Sequence, residues 1–269
     1  MRQGFTLVEL LVVVTIIVVL LAMLTPAIDR AIYQAEIAVC MTNKHALSLA
    51  VTSYAWNFKR SYPYRPGVFA WPTWPGNVQR GVPRYDDRPT YRPYFSLNAT
   101  LNCPLIPRVD IDGADDDSNA FSTYNLWFGF YYRRVDDGNV PPEKGMFRLG
   151  DRWEWYDKDR DYRLQSNLLA ATRYFRQNNG DIYSTSHPGD TYYTYVLQNE
   201  LSAGFKFSLA RWDSTSPDRG PIDVTAVFDD CSATRYDRVL PLDDERMARA
   251  PQYSDGGSFL ANHEFVPKR

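Results

Sequence analysis

The chain is 269 residues long, enough for one sizeable domain, and its 30 basic and 32 acidic side chains leave a formal net charge of −2. That balance excludes a global field that would draw in nucleic acid or anionic lipid. Aromatic residues make up 15% of the chain, with 19 Tyr and 7 Trp, which suits half-buried surfaces and contact patches better than disorder.

From Phe5 to Leu24 only Thr6, Glu9 and Thr15 interrupt an aliphatic run. As a helix, about twenty residues rise roughly 30 Å, one bilayer core, and a helix is the single element that pairs its own backbone in lipid. Glu9 would then lie at bilayer depth, where an ionisable side chain is costly and usually functional. A carboxylate near the end of a span also snorkels to the interface. The leader Met1-Arg2-Gln3-Gly4 points to another use. A secretory signal places its small-residue cleavage site after the apolar core, whereas Gly4 stands before it. A cut after Gly4 keeps the whole helix and creates an α-amine on Phe5, four residues from Glu9. That amine neutralises the carboxylate within lipid, most usefully on a neighbouring copy. Arg2 precedes the run while Asp29 and Arg30 cancel after it, so the N-terminus is expected on the cytoplasmic side and the remainder outside.

Gly4-Phe5-Thr6-Leu7-Val8-Glu9-Leu10-Leu11, with the apolar run behind it and Pro26 beyond, resembles the cleavage and methylation motif of type IV pilins and type II secretion pseudopilins. The resemblance implies that prepilin peptidase cuts after Gly4, that Phe5 is N-methylated, and that Glu9 guides assembly by pairing with the amine of an adjacent Phe5. It implies no catalytic residue and no cofactor. Its partners would be the peptidase, other pilin or pseudopilin subunits and the inner membrane.

Beyond Pro26 the helix is expected to continue to Asn57. Ile28, Ile32, Ala35, Val39, Ala46, Leu49 or Ala50, and Tyr54 recur at helical spacing and need a cover, most simply a sheet from the same chain. Cys40-Met41-Thr42-Asn43-Lys44, leading to Tyr54, Asn57 and Tyr62-Pro63, is similar to the second helix half of prepilin-like proteins abundant in planctomycete-type bacteria. Of the 3 cysteines, Cys40 is expected to pack on the helix as a small apolar group. Cys103 and Cys231, on the outer side of a membrane, are candidates for a disulfide.

Residues 59–101 are rich in proline, which excludes a long helix or a central strand. Tyr62, Tyr64, Phe69, Trp71, Trp74, Tyr85, Tyr91 and Tyr94 alternate there with Arg60, Arg65, Arg80, Arg84, Arg88 and Arg92. Arginine among aromatics suits stacking on bases or sugars, which makes nucleic acid or glycan a candidate ligand. The plainer reading, a loop whose rings pack on the domain or the next subunit, is preferred.

After the loop, Phe121–Val135 reads as one or two strands and Met146–Trp155 as another. Leu164–Gln177 reads as a helix stopped by Asn178-Asn179-Gly180. Strands are expected at Thr191–Leu197, Phe205–Trp212 and Ile222–Phe228. Ser258–Leu260 and Glu264–Val266 suggest a closing hairpin around Asn262-His263, similar to the ending of the planctomycete-type proteins. The acidic runs Asp110–Asp117 and Asp157–Asp161 lack the closing acid of a calcium loop, so solvated loops are the preferred reading and no metal ligand is assigned, with calcium at Asp110–Asp117 kept as the alternative. His187 beside Asp190, and His263 beside Glu264, lack any accompanying nucleophile motif, so the chain is not expected to be an enzyme.

The expected architecture is α+β and pilin-like: a leader over 1–4, a long helix over 5–57 with 5–25 transmembrane, and an extracytoplasmic antiparallel-sheet domain over 58–269 that includes the loop 59–101. The expected function is that of a filament subunit, a pilin or pseudopilin. The alternative is a surface- or tip-located binding protein, a minor pilin, that recognises glycan, DNA or secreted cargo through the aromatic and arginine-rich loop.

Overall fold

The computed structural model describes residues 6–67, 73–74, 86–105, 110–113, 119–122, 124–132, 146–157, 162–172, 174–177, 182–185, 200–201, 205–206, 210–212, 222–239, 245–252 and 262–267. Helix α1 runs unbroken over Leu7–Asn57, 51 residues, with Pro26 inside it. Proline removes one N–H from the ladder; just before it, the Thr25 hydroxyl donates to Leu21 O at 2.9 Å. The chain leaves α1 through two left-handed residues, Lys59 and Arg60 (φ 54° and 65°). Arg60 N reaches back to Ala55 O at 2.7 Å and Phe58 N to Tyr54 O at 3.1 Å, so the last carbonyls of the helix are taken up.

The second half of α1 lies on a four-stranded antiparallel sheet. From edge to edge its strands are Ala233–Val239, Ile222–Phe228, Leu168–Thr172 and Tyr124–Leu126. Ile222–Phe228 is rich in β-branched residues (Ile222, Val224, Thr225 and Val227), which suit a strand, and Asp223 to Phe228 are all buried. It turns into its partner through Asp229, Asp230 and Cys231, with Phe228 N donating to Ser232 O at 3.1 Å. Leu168–Thr172 is buried at every position. A second antiparallel sheet is ordered Ala210–Trp212, Ile182–Thr185, Tyr174–Gln177, Asn262–Pro267 and Met247–Gln252. Trp153–Asp157 and Tyr162–Ser166 form a separate hairpin. The α+β architecture read from the sequence is the one observed.

Three expectations are corrected. Leu164–Gln177 is not a helix but parts of three strands, Tyr162–Ser166, Leu168–Thr172 and Tyr174–Gln177. Leu168, Leu169 and Ala171 belong to a strand hidden on both faces, and a short, continuous apolar run looks the same in either conformation. Asn262-His263 does not turn a hairpin; it begins the Asn262–Pro267 strand, which pairs along Met247–Gln252. The face of α1 that meets the sheet is also different from the one expected. Tyr33, Ile37, Cys40, Lys44, Leu47, Val51 and Ala55 are buried, whereas Ile28, Ile32, Val39 and Leu49 stay about half exposed. The strand expected at Thr191–Leu197 lies outside the described residues.

The core is a single cluster that α1 shares with the sheet and with the chain that wraps across it: Tyr91, Leu97, Leu101, Cys103, Tyr124 and Phe128 are among its members. Two one-turn helices, α2 (Arg88–Tyr91) and α3 (Leu97–Thr100), carry that wrapping chain. Asn43 Nδ2 on α1 donates to Ala99 O at 3.0 Å, and Tyr54 meets Tyr94 edge-on, with ring centroids 5.6 Å apart.

Candidate functional site

The N-terminal end of α1 is closed by its own side chains. Glu9 N donates to Thr6 Oγ1 at 3.3 Å, while Thr6 N and Thr6 Oγ1 donate to Glu9 Oε2 at 2.8 and 2.7 Å. This capping box answers otherwise orphaned donors and is worth about 1 kcal/mol. It also occupies Oε2 of Glu9 and leaves Oε1 outside the box. Gly4 and Phe5 lie outside the described residues, so the Phe5–Glu9 relationship is not part of this geometry.

Every residue from Thr6 to Ile32 is exposed. Among the described residues α1 is the one helix long and apolar enough to cross a membrane. The exposure does not stop where the sheet begins. Ile28, Ile32, Ala35, Val39, Ala46, Leu49 and Trp56 are exposed along one line of α1, at alternating steps of three and four residues once Thr42 and Ser53 are counted in. At 100° per residue this line lies opposite the sheet-facing residues. The periodicity seen in the sequence is therefore an uncovered stripe continuous with the apolar run. Tyr33, Lys44 and Ser48 give the buried face a polar look, which is why it was missed.

The described loop arginines, Arg60, Arg65, Arg88 and Arg92, are spent on the protein itself. Arg65 Nη1 donates to Leu126 O at 2.7 Å, and its Nε lies 3.4 Å from Asp87. Arg88 holds both oxygens of Asp86 at 2.9 Å and donates to Ile111 O at 3.0 Å. Arg92 pairs with Asp112 at 2.8 Å, and Arg60 donates to Leu149 O at 3.2 Å. Arg80 and Arg84 lie outside the described residues. The acidic run is engaged in the same way where it is described: Asp110 Oδ1 accepts from Asn98 Nδ2 and from Gly113 N. His187 and Asp190 lie outside the described residues.

All three cysteines are thiols, and Cys103 and Cys231 are not joined. Cys231 sits in the hairpin after Ile222–Phe228, its sulfur 4.0 Å from Thr52 Oγ1. Cys103 is buried against α1, close to Cys40. In this structure Cys231 lies by Thr52 while Cys103 lies in the core cluster with Cys40. Around Cys40 stands a cluster that sequence reasoning missed. Lys44, fully buried, donates to Cys40 Sγ at 3.1 Å, Thr172 Oγ1 at 3.3 Å and Thr225 Oγ1 at 2.5 Å, and lies 4.0 Å from the centre of the Tyr124 ring. The three N–H bonds of an ammonium are thus all used. The signal was available: Cys40 and Lys44 are four apart and share one helix face. Burial pushes the Tyr124 phenol and the Cys103 thiol well above their ordinary pKa values.

Comparison with known families matches the prokaryotic N-terminal methylation motif over residues 1–25. No curated protein and no solved structure matches the chain. The motif, at the head of a helix whose first half nothing covers, marks this chain as a type IV pilin/pseudopilin-like prepilin protein.

Proposed function

We propose that this protein is a structural filament subunit, stored in the inner membrane with its N-terminus cytoplasmic and its sheet domain outside. Prepilin peptidase removes residues 1–4, Phe5 becomes the methylated N-terminus, and the subunit polymerises through α1 into a type IV pilus or a type II secretion pseudopilus. One observation carries this reading: the uncovered apolar surface of α1 extends well past the run that a bilayer hides, as a stripe from Ile28 to Trp56 on the side away from the sheet. An anchor alone needs only the apolar run, whereas a helix packed among other helices needs a seam along its length. Glu9 sets register by meeting the Phe5 amine of the next subunit, which is the least costly answer to a carboxylate at that depth.

The test is to follow wild type, Glu9→Ala and Leu49→Glu through membrane isolation, N-terminal mass measurement and shearing of surface filaments. Wild type is expected to begin at a methylated Phe5 and to enter the sheared fraction. Glu9→Ala is expected to be processed yet remain in the membrane, and Leu49→Glu to fold normally and assemble at least tenfold less. A mature protein still beginning at Met1 in cells with active peptidase would overturn the reading. So would Glu9→Ala polymerising as well as wild type.

A further inference from the structure

We infer that Cys40 and Cys103 form a disulfide that fastens the end of the wrapping segment to α1. The inference rests on the outward placement of the domain proposed above, since disulfides persist in such compartments. Cys40 and Cys103 are wholly buried members of one core cluster and lie close enough to interact. Tyr124 brackets the pair, its hydroxyl accepting from Cys40 Sγ at 3.4 Å and donating to Asn102 O, beside Cys103, at 3.2 Å. Asn43 holds α3 against the same helix through Ala99 O. Hydrogen bonds thus hold the chain on both sides of the prospective bond, whose sulfurs must close to roughly 2.05 Å.

The chemistry is two successive exchanges with a disulfide donor, either a protein disulfide or oxidised glutathione. The thiolate of Cys40 attacks one sulfur of the donor, and the other leaves as a thiolate. Cys103 then attacks the Cys40 sulfur of the mixed disulfide and releases the second donor sulfur. The two protons lost by the cysteines end on the two donor thiols, so two protein thiols are oxidised and one donor disulfide is reduced. The Lys44 ammonium, 3.1 Å from Cys40 Sγ, supplies the positive charge next to which a thiolate forms. Both sulfurs are hidden in the finished fold, so exchange belongs to the stage at which Leu97–Cys103 docks. The bond closes a loop of roughly sixty residues that contains the whole proline- and arginine-rich stretch, a length at which cross-linking restricts the unfolded chain strongly. Cys231 is left as the unpaired thiol.

Full-length protein is extracted from cell membranes in detergent with thiols blocked by maleimide at lysis, then digested without reduction. A peptide linking Cys40 to Cys103, with Cys231 alkylated, is expected; Cys231→Ser should keep that link, and Cys40→Ser and Cys103→Ser should lose it. Reduction should lower the thermal midpoint by about 10 °C. A Cys103–Cys231 or Cys40–Cys231 bond overturns the inference. If all three thiols are alkylated, two further measurements decide between the pair and the placement. A membrane-impermeant amine reagent on intact cells reports whether the domain faces outward, and the purified reduced protein is treated with diamide, a small thiol oxidant. An inward-facing domain whose Cys40–Cys103 link forms with diamide sinks the placement and keeps the pair. Thiols that stay alkylatable in an outward-facing domain, or after diamide, sink the pair.

Discussion

The ammonium of Lys44 donates to Thr225 Oγ1 over 2.5 Å in the middle of the helix–sheet interface, where both side chains are fully buried. Among the described residues no carboxylate stands against it, and hydroxyls, a sulfur and a ring face take its charge. Such an arrangement holds position more than it adds stability, because desolvating the charge offsets most of what the contacts return. Thr172 Oγ1 lies 3.0 Å from Thr225 Oγ1 and also accepts from Thr225 N, so the threonines keep partners without the lysine. Lys44→Met is therefore expected to unfold within about 1 kcal/mol of wild type or later. Lys44→Ala, which opens a cavity, should lose about 2–4 kcal/mol. Urea unfolding followed by intrinsic fluorescence separates the two.

Arg88 and Arg92, one helical turn apart, should behave oppositely. Removing the Arg88 side chain leaves the buried Ile111 carbonyl without this donor and takes the partner from Asp86, which water still reaches, so Arg88→Ala is expected to cost about 2–3 kcal/mol. The Arg92–Asp112 pair is half exposed at both ends, and Arg92→Ala should stay within about 1 kcal/mol. Thermal melts of the two variants in detergent test this. Equal effects would mean that the segment is not packed as described.

Acid should loosen the same segment. Burial alone raises the pKa of Asp86, but hydrogen bonds from the Arg88 side chain and backbone outweigh it, so the carboxyl sits below its ordinary range. A carboxylate held low in the folded state contributes stability that is fully present above its unfolded value, about 3.9. That contribution fades as pH falls through the lower, folded value. Melting temperature measured from pH 5 down to pH 2.5 should fall, and Asp86→Asn should flatten the slope in that window.

Gly129 has no room for a side chain. Its φ is +60°, and a Cβ there would lie 1.8 Å from Pro63 O. Its N–H reaches Met146 O and its carbonyl accepts from Arg65 N, both at 2.8 Å, so three segments meet at this residue. Gly129→Ala must either move Pro63 or break those bonds, and a loss of about 3 kcal/mol or more is expected. Chemical denaturation beside a Gly150→Ala control, where a Cβ meets only Arg60 Nη2 at 3.7 Å and the φ of +92° remains the sole strain, isolates the steric part.

The long helix was legible because two signals agreed, a continuous apolar run and a helical period carried to Asn57. Ile222–Phe228 was legible from its β-branched residues, Ile222, Val224, Thr225 and Val227. Which face of α1 met the sheet was not, because hydropathy ranks Ile28 and Val39 above Tyr33 and Lys44, while the fold places the latter pair in its core. Leu164–Gln177 failed for a related reason, since a strand buried on both sides has no alternation to show. The nearness of Cys103 to Cys40 is set by chain wrapping, through the bonds that Asn43 and Tyr124 make to Ala99 O and Asn102 O, and nothing local to Cys103 announces it. Glu9 was found because a lone acid among aliphatics stands out without any structure.

The box formed by Thr6 and Glu9 gives the acid a partner within its own chain. Under the filament function proposed above, recruitment would then exchange one partner for a stronger one, instead of relieving a bare charge. The same hydroxyl would stabilise the reservoir of idle subunits, and polymerisation would have to displace or share it. Replacing that threonine with a residue lacking an oxygen would shift the balance between reservoir and fibre without touching the acid at all.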